Sequence, residues 1–173
     1  MRRVLNSRPW AETVATQDHC FVLIDASETR AFAAGALAEW YPGASVTFIS
    51  SYTRGTALST MAGLATGGNL SVPIIVDLAD ILFSSDLAPI AVFDANPNCG
   101  AVALTFKADH PSHSYLSMDS FGFFLKAAEK RVISNNASAG TYIFRNMATY
   151  LRALAHGLEN EASQTFRDLF FVC

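Results

Sequence analysis

Apolar residues along this chain fall into short runs separated by turn-forming residues, and their spacing predicts alternating strands and helices. Cys20-Phe-Val-Leu-Ile-Asp25 is a run of strand length ended by a turn-prone aspartate. Asp25 to Glu28 offers capping residues for an alanine-rich helix from about Thr29 to Trp40, which Pro42-Gly43 stops. Ser45 to Ser50 reads as the next strand. A Thr53-Arg-Gly-Thr56 turn leads into a helix from about Ala57 to Ala65, closed by Gly67-Gly68-Asn69. Val72 to Val76 is a third strand that runs straight into Asp77-Leu-Ala-Asp80. This alternation predicts a parallel, doubly wound sheet.

Beyond Asp80 the pattern changes. Gly100 to Phe106, Ser114 to Met118, Phe123 to Lys126 and Ala139 to Phe144 are strand-like, and Asp119, Ser120 and Gly122 supply a hairpin turn between the second and third. A helix from about Met147 to Leu158 follows. Antiparallel pairing is expected in this half. The first 18 residues are polar and carry no strong period. The whole reads as one domain, 1–173, of α/β class: a Rossmann-like three-layer αβα arrangement on a mixed, mostly parallel sheet. The phenylalanines at 83, 93, 106, 121, 123 and 124 lie on or beside strands and are read as core.

Composition narrows the partners. Of 173 residues 51% are hydrophobic and 16% charged, enough for a sizeable core and too apolar for long disorder. The net charge is −3, and no basic run is longer than Arg2-Arg3, so nucleic acid is not an expected partner. Cys20, Cys99 and Cys173 are odd in number and far apart, which argues for buried or terminal free thiols in a reducing compartment. No apolar run approaches the ~20 residues of a membrane span. Arg2-Arg3 is followed by Asn6, Ser7, Arg8 and Pro9 rather than an apolar stretch, so no secretory signal is expected and the expected location is cytoplasmic.

Four places could carry chemistry. Ligands of open α/β sheets sit at the carboxyl ends of strands, where Asp77 and Asp80 stand, with Asp86 shortly after. A carboxylate there can hold Mg2+, and Asp80 is the better placed because Asp77 is still on the strand. By spacing alone, a capping or turn role is the commoner one for such a residue. Gly55 in Thr53-Arg-Gly-Thr-Ala57 lets the backbone approach a flat ligand, although a strand-to-helix turn uses glycine for structural reasons as well. Glu129 can accept from sugar hydroxyls and Lys130 can pair a phosphate; a solvated edge pair is the competing reading. His110-Pro-Ser-His113 has metal-like spacing, but its loop position and lack of an acidic partner beyond Asp109 favour histidines stacked on neighbours.

Taken in order, Thr53 to Ala57, Pro73 to Asp80, and His110 to Tyr115 through Ala128-Glu-Lys130, Ile133-Ser134 and Ala137-Ser-Ala-Gly-Thr-Tyr-Ile-Phe144 resemble the sugar-phosphate nucleotidyltransferase superfamily, with its glycosyltransferase-A-like fold. The resemblance covers roughly Cys20 to Phe144. It implies that Asp80 binds Mg2+, that Gly55 and Thr56 line a base pocket, and that Glu129 and Lys130 contact the sugar phosphate, with Gly140 giving it room. Asp80 and Lys130 would be the catalytic pair. The implied reaction is attack of a sugar-1-phosphate oxygen on the α-phosphorus of a nucleoside triphosphate. The family's opening strand and Gly-rich triphosphate loop are not matched: Met1 to Asp18 contains no glycine, so the fold is expected to be truncated at its N-terminal strand. Family members also continue past Phe170 to a second metal aspartate. Unaided activity is therefore expected to be low. The alternative is a non-catalytic derivative that binds nucleotide or sugar, or serves as a structural subunit. The unpaired edge left by the missing strand implies a homo-oligomer or a partner subunit.

Overall fold

The computed structural model describes residues 1–65, 67–86 and 88–159. Strands β1 (Cys20–Ile24) and β2 (Ser45–Ile49) pair in parallel, from Cys20 opposite Ser45 to Ile24 opposite Ile49. The chain between them is helical: α2 (Ser27–Phe32), a π-helical turn (Ala33–Leu37) and α3 (Ala38–Trp40). The helix begins earlier than Thr29 because Asp25 is not its cap. The Asp25 carboxylate instead accepts from Arg30 at 2.5 and 2.8 Å, and the Thr29 hydroxyl takes the Ala26 N–H at 3.1 Å.

Helix α4 (Thr56–Leu64) packs back over β1 and β2. Gly63 permits this approach, since a Cβ there would lie 2.8 Å from Val22 Cγ2. On the other face, Phe21, Leu23 and Val46 pack against Leu37, Tyr41 and Leu5, so helices cover both faces of this pair. Leu5 comes from a short helix α1 (Arg2–Leu5), in the segment whose polar pattern predicts no element. Trp10 and Arg8 of that segment are buried too.

Five further strands form the second sheet: β3 (Ile74–Asp77), β4 (Ala101–Lys107), β5 (Ser114–Met118), β6 (Phe124–Glu129) and β7 (Asn136–Phe144). Helix α5 (Pro89–Ala95) precedes β4, and α6 (Met147–Glu159) follows β7. Strand β7 is the centre. It pairs β4 along one edge; on the other, residues 141–144 pair β3 and Ala137 pairs Tyr115 of β5, which in turn pairs β6. All of these pairings are antiparallel, which corrects the expectation of a mostly parallel sheet. The parallel set stops at two strands because no described strand pairs the second edge of β1 or of β3. The hairpin joining β5 to β6 enforces antiparallel order: Gly122 turns at φ +87°, and Asp119 Oδ1 accepts the N–H groups of Phe121 and Phe123 at 2.9 Å each.

The principal core joins Ala57 of α4, Val76 of β3, Tyr142 and Phe144 of β7, and Tyr150 and Leu154 of α6. Burial pushes the Tyr150 hydroxyl well above the ordinary tyrosine range, and that hydroxyl donates to the Ala57 carbonyl at 2.5 Å. Helix α5 is held by Arg145, which donates to the carbonyls of Phe93, Asn96 and Cys99 at 2.7 to 2.8 Å and stacks over the Phe93 ring. Of the six phenylalanines expected in the core, Phe93 is buried, but Phe121 is 85% and Phe123 67% exposed, because the hairpin carries them beyond any covering layer. Cys20 is an exposed rather than a buried thiol, and Cys173 lies outside the described residues. Among the described residues, no helix is long and apolar enough to cross a membrane.

Candidate functional site

The end of β3 divides its two carboxylates between different tasks. Asp77 is the last strand residue, as its position predicts, opposite Thr141 in the β3–β7 register. Its carboxylate is held by Arg8, which donates Nε to Oδ2 at 2.5 Å and Nη2 to Oδ1 at 3.0 Å. The Arg8 side chain is 1% exposed; its Nη1 donates to the Ile81 carbonyl at 3.0 Å and its guanidinium lies 4.2 Å from the Phe83 ring centroid. A buried charge needs this degree of pairing, and a planar guanidinium supplies it bidentately. Asp77 is therefore structural.

The same carboxylate shapes the next turn. Asp77 Oδ1 accepts the Ala79 N–H at 2.9 Å, and the Leu78 N–H donates to the Gly140 carbonyl at 3.0 Å. Ala79 is held at φ +55°, a left-handed conformation that a residue with a Cβ adopts only when its surroundings impose it. The reversal lays Asp80 over β7: a Cβ on Gly140 would lie 3.3 Å from Asp80 Oδ1 and 3.3 Å from both Leu78 Cβ and Cδ1. Gly140 itself has φ +71°, so glycine serves there both for conformation and for room. The Gly140 N–H donates to Ser138 Oγ at 3.1 Å, and Ser138 Oγ bonds the Tyr142 hydroxyl at 3.0 Å. Asp80 is exposed and makes no hydrogen bond or ion pair among the described residues.

Asp80 stands where β7 passes from β3 to β5. Because Tyr115 opposes Ala137 and Ser114 opposes Glu129, the Ser114 end of β5 and Glu129 of β6 face the same stretch of β7 that carries Ser138 to Gly140. Two strand spacings put Glu129 about 10 Å from β7. Lys130 turns away from the strand at φ +50°, its N–H bonded to the His113 carbonyl at 3.1 Å. Its ammonium lies 3.7 Å from Glu129 Oε1 and is 74% exposed, so the two residues pair with each other, in an arrangement worth little energetically.

Gly55 caps α4 at φ +98° and ψ 166°, a conformation open essentially to glycine alone. Thr53 Oγ1 bonds the Gly55 carbonyl at 2.9 Å and Ser59 Oγ at 2.5 Å. Ala57, two residues on, packs with Val76, which fixes the start of α4 beside the carboxyl end of β3. The structure thus brings Asp80 and Gly140 into contact, sets Gly55 and Thr56 along the same end of the fold, and places Glu129–Lys130 two strands away. The His110–His113 loop stacks as expected, with ring centroids 6.5 Å apart and His113 edge-on to Phe106 at 5.2 Å. Arg8, Ser138 and Thr141 organise the site without having been singled out by the sequence; their partners lie 64 to 73 residues away or within a strand of otherwise apolar appearance.

No family model matches the chain, and no curated protein matches it by sequence. Solved structures do. A nucleoside-diphosphate-sugar pyrophosphorylase from Vibrio cholerae superposes with a TM-score of 0.72 at 20% identity, over 88% of this chain and 64% of that one. The chain shares the fold of that structure. A putative glucose-1-phosphate thymidylyltransferase from Bacillus anthracis, solved with sucrose, gives a TM-score of 0.54 at 20% identity, covering 81% of this chain and 58% of that one. A UDP-glucose pyrophosphorylase bound to UDP-glucose gives 0.50 at 15% identity, covering 73% and 58%. The chain therefore spans about three fifths of the length of the structures it resembles.

Magnesium suits the donor set in a limited way. It takes hard oxygen ligands and is usually held by one or two carboxylates plus substrate phosphates and water. Asp80 supplies one such oxygen donor with no competing partner among the described residues. Among the described residues, no group of three acidic, histidine or cysteine side chains converges to cage an ion.

Proposed function

We propose that this chain binds a nucleotide with Mg2+ at Asp80 and belongs to a sugar-phosphate nucleotidyltransferase. The observation that carries the reading is the unpartnered Asp80 carboxylate, aimed over Gly140 by a strained turn at the carboxyl end of β3. When bound, Mg2+ would neutralise charge on the phosphate oxygens. The protein's part is positioning. Asp80 holds its carboxylate at a fixed place because Asp77 and Arg8 lock the turn. Gly140 leaves space for a sugar or phosphate beside it. Gly55 and Thr56 present backbone to a base, and Glu129 with Lys130, once their mutual pair opens, contacts the sugar phosphate. In the reaction a bond forms between a sugar-1-phosphate oxygen and the α-phosphorus, and the bond from that phosphorus to the bridging oxygen breaks, releasing pyrophosphate.

A second reading is a non-catalytic binding or structural subunit of the same fold. It is favoured by the lone carboxylate at the site and by the Glu129–Lys130 pair, which is closed on itself. Calorimetry with nucleoside triphosphates and Mg2+ decides whether the site works: binding that Asp80→Asn abolishes supports it, and absence of binding by any common nucleotide removes the enzyme reading for this chain. Pyrophosphate release on adding sugar 1-phosphates then separates catalyst from binder. A homo-oligomer or partner subunit is proposed alongside, supported by the unpaired edges of β1 and β3 and by exposed Phe121, Phe123 and Leu125. A monodisperse monomer in light scattering at micromolar concentration counts against it. The proposed location is cytoplasmic.

A further inference from the structure

Strand β6 closes one end of the second sheet: it pairs β5, and no described strand pairs its other edge. The Lys130 N–H bonds the His113 carbonyl, so by the two-residue alternation of an antiparallel ladder the backbone groups of Ala128 and Lys126 also face β5. Those of Ala127 and Glu129 face away from it. They leave a short row of N–H and carbonyl groups suited to another strand. Apolar surface lies beside that row, where Phe121 at the turn, Phe123 and Leu125 each have most of the side chain exposed. Together the three present on the order of 400 Å2, about half of what each partner of a standard interface buries. Lipid could take up the rings but could not satisfy the backbone row, which calls for a strand.

The strand that fits is β6 of a second copy. Around a two-fold axis perpendicular to the sheet, two copies of β6 run antiparallel, and each register sets one residue beside itself. Centring on Lys126 sets its ammonium against its own copy. Centring on Ala128 sets Lys126 opposite Lys130 of the other copy. Like charges directly opposite destabilise a strand pair, so both registers are disfavoured. Centring on Ala127 avoids both contacts. A small side chain then lies on the axis, the outward backbone groups of Ala127 bond their own copies, and Leu125 comes beside the stem of Glu129. Phe124 and the Phe121–Phe123 turn come toward Lys130 and Arg131 of the other copy, where ring and cation attract. The register shift between Ser117 and Met118 breaks the regular ladder near Leu125, so the edge is long enough to close a pair but too short to propagate. We infer that β6 pairs with β6 of a second copy across a two-fold axis at Ala127, joining two sheets into one. This interface rests on the homo-oligomer proposed above, to which it gives a location, and asks nothing of the nucleotide site.

Sedimentation velocity from low to several hundred micromolar chain is expected to show a concentration-dependent equilibrium between monomer and dimer. Ala127→Pro removes an outward N–H and no bond to β5, at the kind of position where an edge strand tolerates proline. It is expected to keep the native circular dichroism spectrum and melting temperature while weakening the dimer about tenfold or more. If that variant fails to fold, Ala127→Lys replaces it, because two like charges on the axis oppose association without altering the backbone. Oxidative crosslinking reads the register. Ala127→Cys is expected to give a disulfide-linked dimer, and Leu125→Cys and the wild type, with its exposed Cys20, to give much less. Wild-type association that the Ala127 variants leave unchanged overturns this interface, while the oligomer stands through another edge. A wild-type monomer at every concentration overturns both. Binding of monomer to phosphatidylcholine–phosphatidylserine vesicles that Phe123→Ser abolishes and Ala127→Pro preserves assigns the hairpin to a lipid surface and likewise overturns the proposal.

Discussion

Strand β7 is built from more polar sequence than the β1–β2 pair, yet it ends in the more buried surroundings. Ala137 through Phe144 are all buried, whereas Phe21 to Ile24 and Val46 to Ile49 each keep partial exposure. Helices cover both faces of the β1–β2 pair, so apolar cover does not explain the difference. Edges do: β7 is hydrogen-bonded on both sides, to β4 on one and to β3 and β5 on the other, while β1 and β2 each have one described partner. The buried strand can then carry polar residues only where they are satisfied, and Ser138 and Thr141 are, through Tyr142, Gly140 and Asp77. Pairing on both edges also explains why the candidate site lies against β7 rather than against β1. A rigid, fully paired strand fixes Gly140, and Asp80 is placed relative to it.

The most disruptive way to test this contrast is to unclamp the end of β3. Arg8→Ala leaves the Asp77 carboxylate without its guanidinium in largely buried surroundings and is expected to cost about 3–5 kcal/mol in urea unfolding. Replacing both partners by apolar residues of similar size, Arg8→Met with Asp77→Leu, is expected to cost much less. Asp80→Asn, three residues beyond Asp77, should stay within about 0.5 kcal/mol of wild type, because Asp80 has no hydrogen-bond or ion-pair partner among the described residues. Equal losses for Arg8→Ala and Asp80→Asn would contradict the division between structural and ligand-facing carboxylates.

A smaller effect is expected at the contact itself. Gly140→Ala forces a Cβ into a left-handed backbone and toward Asp80, costing about 1–3 kcal/mol, and is expected to weaken Mg2+-nucleotide binding in the same titration. Below this comes Tyr150→Phe, which deletes the donor to the Ala57 carbonyl and so loosens the start of α4 beside Val76. Its expected cost is about 1–2 kcal/mol in thermal or urea unfolding.

The smallest effect lies in the partly exposed region. The hydrogen bond from Arg30 holds the Asp25 carboxyl below its ordinary value of 3.8. A carboxyl depressed in the folded state contributes stability that is present above its unfolded value and is lost as pH falls through the folded one. Arg30→Ala is therefore expected to raise the Asp25 value toward 3.8, seen in an NMR titration, and to flatten the acid limb of the stability profile only slightly, because the pair is exposed.

Local order was legible where it depends on short-range chemistry. The strand at Ser114 to Met118, the turn through Asp119 and Gly122, the helix stop at Pro42-Gly43, and the standing of Asp77 on its strand all follow from alternation, capping and turn residues. The N-terminal segment was opaque for a definite reason. Leu5, Arg8 and Trp10 have no common period, and Leu5 packs with Leu37 and Tyr41 while Arg8 pairs Asp77, so no window of sequence contains the signal. Phe121 and Phe123 misled in the opposite direction, since apolar character promises burial only if something covers the hairpin.

The sequence by itself determined the strands and the helices between Cys20 and Leu64 and after Phe144, though not α1 or α5, and it showed that Asp80 follows a strand end and that a glycine stands at position 140. The tertiary structure decided three further matters. It paired β3 antiparallel to β7, it spent Asp77 on Arg8 while leaving Asp80 without a partner among the described residues, and it left one edge of β6 without a described strand beside it. Each depends on residues far apart in the chain, brought together by packing around one strand paired on both edges. Composition and periodicity record only what neighbours along the chain require of one another.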